Sequence, residues 1–381
     1  MNLMIFGVGA AGNKAAIRCI ENGIISEDQV KLVNTTTKDI PDEYKIGKDM
    51  VVQFSSMLGG CGKESDKGYQ AMVNAIQNSQ VDFNGMIPEE IQQVCIISST
   101  EGGTGCGATP AMVKVFNAMN IPVHVFALIG FQDEKRGLQN TLKFFDRLGD
   151  SVILHTIDNS RFLDYTGNFS VAEEAANEEV SKQIEIIIGS KTYPSAQNID
   201  DTDRYKITTC LGYCDIKSIS LTGVKNKDTF NQQIIDAFEN GSCFEYEPGC
   251  DKLAIIINAS KRTQAMIDDK LEVIKRYTGS AGEVYRHIQD NVADTDEYID
   301  IIVSGLAYPE QSIRNISKKY TEFGSKRQKK SMSSIFDDID FNDDMDKVEV
   351  KQRNTKVNFG NLFGEVKSNK VATTTSVDDE F

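Results

Sequence analysis

The chain contains no Gly-Lys-Ser/Thr tripeptide. That excludes the common phosphate-binding P-loop, which needs a lysine and a hydroxyl after a spaced glycine. No apolar run reaches the ~18 residues a membrane-crossing helix requires. Residues 1–6 run straight into glycines, without the basic stretch and long apolar core of a secretory leader. The expectation is a cytoplasmic protein with no membrane span. Positive charge is in deficit, with 41 Lys and Arg against 56 Asp and Glu and a formal charge of −15. This balance argues against direct DNA binding by the folded body and points to basic or cation-bridged partners. Histidine is scarce: His124, His155 and His287 stand far apart in the sequence. Of eight cysteines only Cys210 and Cys214 are close, and not at zinc spacing. A metal site of His and Cys is not expected, and free thiols fit a reducing compartment.

What the chain does have is alternation. Short apolar runs at 3–6, 30–33, 51–54, 94–97, 123–128 and 152–155 predict strands, with helical patterns around 13–22, 65–78, 108–119 and 135–148. That rhythm predicts an α/β fold with a Rossmann-like parallel sheet covered by helices on both faces. Residues 170–190 read as one long helix, with Ser170 as N-cap, Glu173 completing a capping box, and Gly189 ending it. A polar linker follows at 198–204. Strand-like runs at 216–222, 253–258, 283–288 and 298–304, separated by helical patterns at 227–240 and 262–276, predict a second α/β domain. From residue 325 apolar clusters thin out, and ten Lys/Arg mix with eleven Asp/Glu. This composition predicts a disordered tail. It carries a basic cluster at 326–330 and short apolar islands at 334–336 and 359–363.

The chemistry sits at the strand ends. Residues 98–107, Ser-Ser-Thr-Glu-Gly-Gly-Thr-Gly-Cys-Gly, join a predicted strand to a predicted helix. Glycines there let backbone N–H groups converge on an anion, and the helix adds its positive end. Gly-Val-Gly-Ala-Ala-Gly-Asn at 7–13 follows the first strand, Asn34-Thr35-Thr36 the second, and Gly59-Gly60-Cys61-Gly62-Lys63-Glu64 the third. Four such turns at successive strand ends converge on one crevice. A Gly-x-Gly-x-x-Gly alone also fits dinucleotide-binding folds. Those place an acid at the end of the second strand, whereas here Asp39 comes late. An NAD-dependent enzyme remains the alternative from another class.

The 101–107 turn resembles the signature Gly-Gly-Gly-Thr-Gly-Ser/Thr-Gly of the tubulin/FtsZ family, with Glu101 in the first glycine place and Cys106 in the Ser/Thr place. The order of the four turns is similar to that family's phosphate loops. Residues 150–163 resemble the family's segment at the end of the sixth strand. The resemblance implies a tubulin/FtsZ-like fold: a GTP-binding domain at 1–169, a central helix at 170–195, a second, activation domain at 196–324, and the tail at 325–381. It implies GTP and Mg2+ as ligands, the metal held mainly by nucleotide and water rather than by protein side chains. Nucleotide contacts would come from Gly9, Ala10, Ala11, Gly12, Asn13, Asn34, Gly60, Gly62, Gly102, Gly103, Thr104, Gly105, Cys106 and Gly107. Ala175-Ala176-Asn177-Glu178 resembles the helix start that reads the guanine edge, which makes Asn177 the base-contact candidate. Glu134 and Arg136 fall near the family's ribose- and phosphate-contacting residues, at a spacing that needs a gap. Asn198-Ile199-Asp200-Asp201-Thr202-Asp203 is similar to the family's synergy loop, which enters the next subunit's nucleotide pocket. On that resemblance Asp200 and Asp203, supported by Asn198, act on a neighbour's GTP, although Asp201 replaces the loop's usual apolar residue. Glu101 has two readings: a charge near the helix dipole, or an acid that repels phosphate and slows turnover.

The 60–64 and 101–107 turns look more like the phage and plasmid tubulins than the division proteins. The resemblance implies an assembly-dependent GTPase forming head-to-tail filaments, with a role in segregating plasmid or phage DNA through a basic DNA-binding adaptor. Cell division and positioning of phage DNA are the alternatives.

Overall fold

Near-continuous apolar runs become strands with no exposed residue. Residues 3–8 and 123–129 are buried along their whole length, the pattern of parallel strands covered on both faces. The computed structural model describes residues 2–45, 49–55, 60–189, 199–267, 272–290 and 296–325. Its strands are β1 Leu3–Val8, β2 Val30–Asn34, β3 Val51–Gln53, β4 Gln93–Ser99, β5 Val123–Ile129, β6 Ile153–Asp158, β7 Gly212–Ser220, β8 Cys250–Ala259, β9 Ala281–Asp290 and β10 Tyr298–Leu306. Its helices are α1 Gly9–Glu21, α2 Ser65–Gln77, α3 Phe83–Met86, α4 Thr104–Ala118, α5 Lys135–Leu148, α6 Asn159–Thr166, α7 Phe169–Ile188, α8 Asp201–Thr208, α9 Lys227–Glu239, α10 Lys261–Gln264, α11 Glu272–Thr278 and α12 Glu310–Ser325.

One sheet joins all ten strands in the order β3-β2-β1-β4-β5-β6-β7-β10-β8-β9. The first six are parallel, as expected. The sheet continues into the second half through the parallel pairs Ile153↔Gly212 and Leu154↔Tyr213. There β10 runs antiparallel to β7 and β8. One face is covered by α2, α4, α5 and α9 over a core that includes Phe6, Phe83 and Phe116. The other is covered by α1 and α7 over Ile5, Ile97 and Ile184. Strand order reverses between β1 and β4, with β2 on one side of β1 and β4 on the other. Such a switch point opens a crevice at the carboxyl ends of the strands.

Several expectations need correction. Helix α7 starts at Phe169, and its cap is Asn168, whose side-chain oxygen accepts from the N–H groups of Ser170 and Val171. Ser170 is therefore inside the helix, and Glu173 pairs with Lys14 instead of closing a capping box. Gly189 does end the helix, at φ 74°. The predicted linker at 198–204 gives way to α8 from Asp201 onward, because the Asp200 carboxylate caps it by accepting from Asp203 N at 2.8 Å. Helix α4 begins at Thr104, four residues earlier than its apolar pattern suggested, so half of the glycine-rich turn is helical. The pattern at 262–276 contains α10 and α11, with 268–271 outside the described residues. Helix α12 extends to Ser325, and 326–381, with their basic cluster and apolar islands, lie outside the described residues.

Candidate nucleotide cradle

Two helix N-termini meet at the switch point. Register pairs Val8 with both Val33 and Ser98, so β1, β2 and β4 end at one level. Helix α1 begins at Gly9 directly after β1, and α4 begins at Thr104 shortly after β4. Gly9 has φ +74°, and a Cβ on it would lie 3.0 Å from Gly105 N. The first-turn amides of both helices lack intrahelical partners, and neither first turn carries an acid. A side chain on Gly12 would meet Ile97 O at 2.0 Å, so that position lets α1 lie against β4. Ala10 is exposed and Ala11 half-buried at the helix start. Gly103 caps α4 without a side-chain bond, and Gly107 packs on α2 against Ser65 O.

The remaining rim comes from β2 and β3. Asn34 ends β2, buried, with Oδ1 accepting from Thr35 N. Thr35 Oγ1 lies 3.1 Å from Thr104 Oγ1, which joins the second and fourth turns. Gly60 and Gly62 have φ +76° and +54°. Among the described residues, an added Cβ on Gly62 or Gly102 would meet nothing within 4 Å beyond its own chain neighbours. Asn13 is 1% exposed, yet among the described residues neither its Nδ2 nor its Oδ1 has a partner, and Asn34 Nδ2 is likewise without one there. Buried amide groups left open beside free helix amides suit a polar anion such as a nucleotide.

Glu101 does not point at this opening. Its Oε1 accepts from Gln132 N at 3.1 Å, and its carboxyl occupies space left by Gly130 and Gly137, where a Cβ would come within 2.1 Å and 3.0 Å of it. Burial, with Asp133 and Glu134 nearby, pushes its pKa up to about 7. The Glu101 carboxyl thus packs against the first turn of α5 and the segment just before it. Cys106 is a core residue: its thiol donates to Asn140 O at 3.1 Å, and burial pushes its pKa up to about 12. Glu134 and Arg136 both engage the third turn. Glu134 Oε1 is 2.7 Å from Lys63 Nζ, and Arg136 Nε donates to Lys63 O at 3.2 Å.

Asn177 stands in the third turn of α7, half-buried, rather than at the helix start. Its helix neighbours Glu173 and Glu178 reach Lys14 and Asn22 of the α1 segment. Sequence reading missed Phe131 and Phe169, whose rings meet edge-on at 4.7 Å beside the start of α7, with Phe169 54% exposed. It also missed Asn140 and Gln132, because each acts through one hydrogen-bonding side chain with no surrounding motif.

The acidic segment lies at the other end of α7. Asp200 is exposed at the N-cap of α8 and Asp203 half-buried on its first turn, with Asp203 Oδ1 3.9 Å from Lys206 Nζ. Arg204 donates to Ile186 O at 2.8 Å, which pins α8 to the end of α7. Asn198 lies outside the described residues. Helix α7 has 20 residues, which at 1.5 Å per residue is about 30 Å. Within one chain the carboxylates and the cradle therefore sit at opposite ends of that helix.

The architecture defines an α/β protein with two helix N-termini and glycine-rich turns gathered at a parallel-sheet switch point. Residues 2–167 match the model of the Tubulin/FtsZ family, GTPase domain. The fold as a whole is the tubulin/FtsZ fold. Clostridium botulinum phage c-st TubZ is similar with a TM-score of 0.65 at 13% identity, covering 85% of this chain and 99% of that one. Haloferax volcanii CetZ1, solved as a GDP-bound monomer, gives 0.65 at 18%, covering 85% and 100%. Those scores do not rank the two. Among curated sequences, the cell division protein FtsZ of Aquifex aeolicus is 24% identical over 211 residues, 53% of this chain and 54% of that protein. FtsZ 2 of Haloferax volcanii is 25% identical over 251 residues, 63% and 60%. The chain thus spans between half and two thirds of the length of these curated relatives.

Proposed function

We propose that this protein binds GTP in the cradle and hydrolyses it on assembling head to tail into filaments. One observation carries the reading: free amides at two helix starts and open buried amide groups converge at one end of α7, while two carboxylates stand at the other. An acid about 30 Å away along a rigid helix cannot serve its own cradle, but it can serve that of the next subunit in a polar filament. Gly9–Gly12, Gly60, Gly62 and Gly102–Gly107 would hold the phosphates through backbone N–H groups. Asn13 and Asn34 would contribute the polar rim, and Asn177 would read the base. Asp200 and Asp203 would position the attacking water, which supplies much of what phosphoryl transfer asks of a protein. Mg2+, held by phosphate and water, would offset the phosphate charge.

Related solved structures support the filament part of this reading. Haloferax volcanii CetZ2 was solved as a GTPγS-bound protofilament, and TubZ of Bacillus thuringiensis serovar israelensis as a GTPγS-form protofilament. We extend the proposal to a cytoplasmic filament that segregates plasmid or phage DNA through a basic adaptor recruited by the acidic body or by residues 325–381. Functional units at 1–169, 170–195 and 196–324 are part of the same reading. Light scattering with parallel phosphate release, with Mg2+ and GTP across a protein concentration series, tests it. Scattering and hydrolysis should appear together above one critical concentration. Hydrolysis linear in protein without scattering would overturn the shared site.

A further inference from the structure

Asn140 lies in the second turn of α5 and is 2% exposed. Its carboxamide nitrogen carries two hydrogens, and it makes two bonds to backbone carbonyls: Nδ2 donates to Lys63 O at 2.9 Å and to Glu101 O at 2.8 Å. Those carbonyls belong to different loops, 60–64 after β3 and 101–103 after β4. The loops also touch directly, since a Cβ on Gly103 would lie 2.8 Å from Cys61 Cβ and from Glu64 N. Around this joint α5 adds Arg136 Nε to Lys63 O, and the backbone carbonyl of Asn140 accepts the Cys106 thiol. The Glu101 carboxyl is fixed separately by Gln132 N.

We propose that Asn140 is a positioning residue for the cradle: one buried carboxamide ties the 60–64 loop to the 101–103 loop, so that their backbone N–H groups face a phosphate already arranged. The proposal rests on reading the cradle as the GTP site. The chemistry selects asparagine. Aspartate of the same shape has no donor when ionised, and alanine reaches neither carbonyl. Loops held in the bound geometry before the ligand arrives give up less entropy on binding, so the tie strengthens ground-state binding. The water-positioning carboxylates are elsewhere, so turnover at saturation does not depend on it.

The test uses full-length Asn140→Ala and the isosteric Asn140→Asp, the second serving if the first fails to fold. Hydrogen–deuterium exchange without nucleotide should show amides in 60–64 and 101–107 exchanging about tenfold faster or more, together, with α7 unchanged. Titration with GTP should show affinity weakened about tenfold, with kcat at saturating GTP within about twofold of wild type, as expected for lost ground-state binding. Unchanged exchange in either loop, or a fall in kcat with affinity intact, would overturn the proposal. If wild type binds no GTP while both loops loosen in the variants, the tie stands and the GTP reading fails.

Discussion

Consider a mixture of two proteins, each broken at one end of α7. Asp203→Ala removes a carboxylate from the first turn of α8 and leaves the cradle untouched. Gly102→Asp places a carboxylate in the proposed cradle, at a position where, among the described residues, an added Cβ meets nothing within 4 Å beyond its own chain neighbours, so it repels phosphate without a steric clash. Alone, Asp203→Ala should bind GTP normally and hydrolyse it about 10²–10⁴-fold more slowly, the usual size of a lost proton- or water-handling group. Alone, Gly102→Asp should bind no GTP. In a polar filament each active interface takes its cradle from one subunit and its carboxylates from the next. A one-to-one mixture then places an intact cradle against intact carboxylates in one interface of four, so phosphate release should recover to about a quarter of wild type. The assay is phosphate release at fixed total protein across mixing ratios, with a maximum at equal amounts. Release that never exceeds the sum of the separate variants would refute the division of the site between subunits.

Other outcomes can be checked alongside. Glu101→Gln should change GTP affinity less than about twofold, because the acid faces Gln132 N and not the opening; tightening of tenfold or more by calorimetry would show that it repels phosphate. His124 and His155 form a buried pair, with Nδ1 and Nε2 3.1 Å apart. Burial holds His124 down to about 3 and His155 well below the usual range. The unfolded chain takes up these protons below pH ~6.5 and the folded protein does not, so stability falls as pH falls. The loss is about 2 kcal/mol for His124 between pH 6.5 and 5, with His155 adding to it. Urea midpoints at the two pH values should converge in a His124→Gln/His155→Phe variant, and an unchanged slope would refute the assignment. Lys217→Met should cost about 3–5 kcal/mol by chemical denaturation, because it strands the buried Asp215 carboxylate that Lys217 Nζ approaches at 2.9 Å. Adding Asp215→Asn to Lys217→Met should recover part of that loss, and a double variant no more stable than the single one would count against it.

All ten strands, the parallel run of the first six and the turns that converge were legible in the amino-acid order. Runs such as Val94–Cys95–Ile96–Ile97 have one outcome when helices flank them, and glycine clusters at their ends mark where backbone must approach backbone. Local chemistry left more to chance where two caps competed: Ser170 and Asn168 both offer an oxygen, and Asn168 took α7. The polar run at 198–204 carried no apolar period, so the eight-residue helix that Asp200 caps was not legible there.

What the side chains around the cradle do was settled by packing across the folded chain. Cys106 stands in the Ser/Thr place of the signature, Glu134 and Arg136 fall near the family's ligand-contacting positions and Glu101 stands in a glycine place, and each of these side chains bonds to a protein group that no local pattern announces. Asn140 and Gln132 carry no motif, yet Asn140 joins two loops 38 positions apart, from Lys63 to Glu101. The physical reason is range. Strand and turn formation depend on neighbours a few residues away, which the sequence displays. Where a buried carboxamide or carboxylate finds its partner depends on which loops the sheet order brings together, and that order exists only once distant segments have packed.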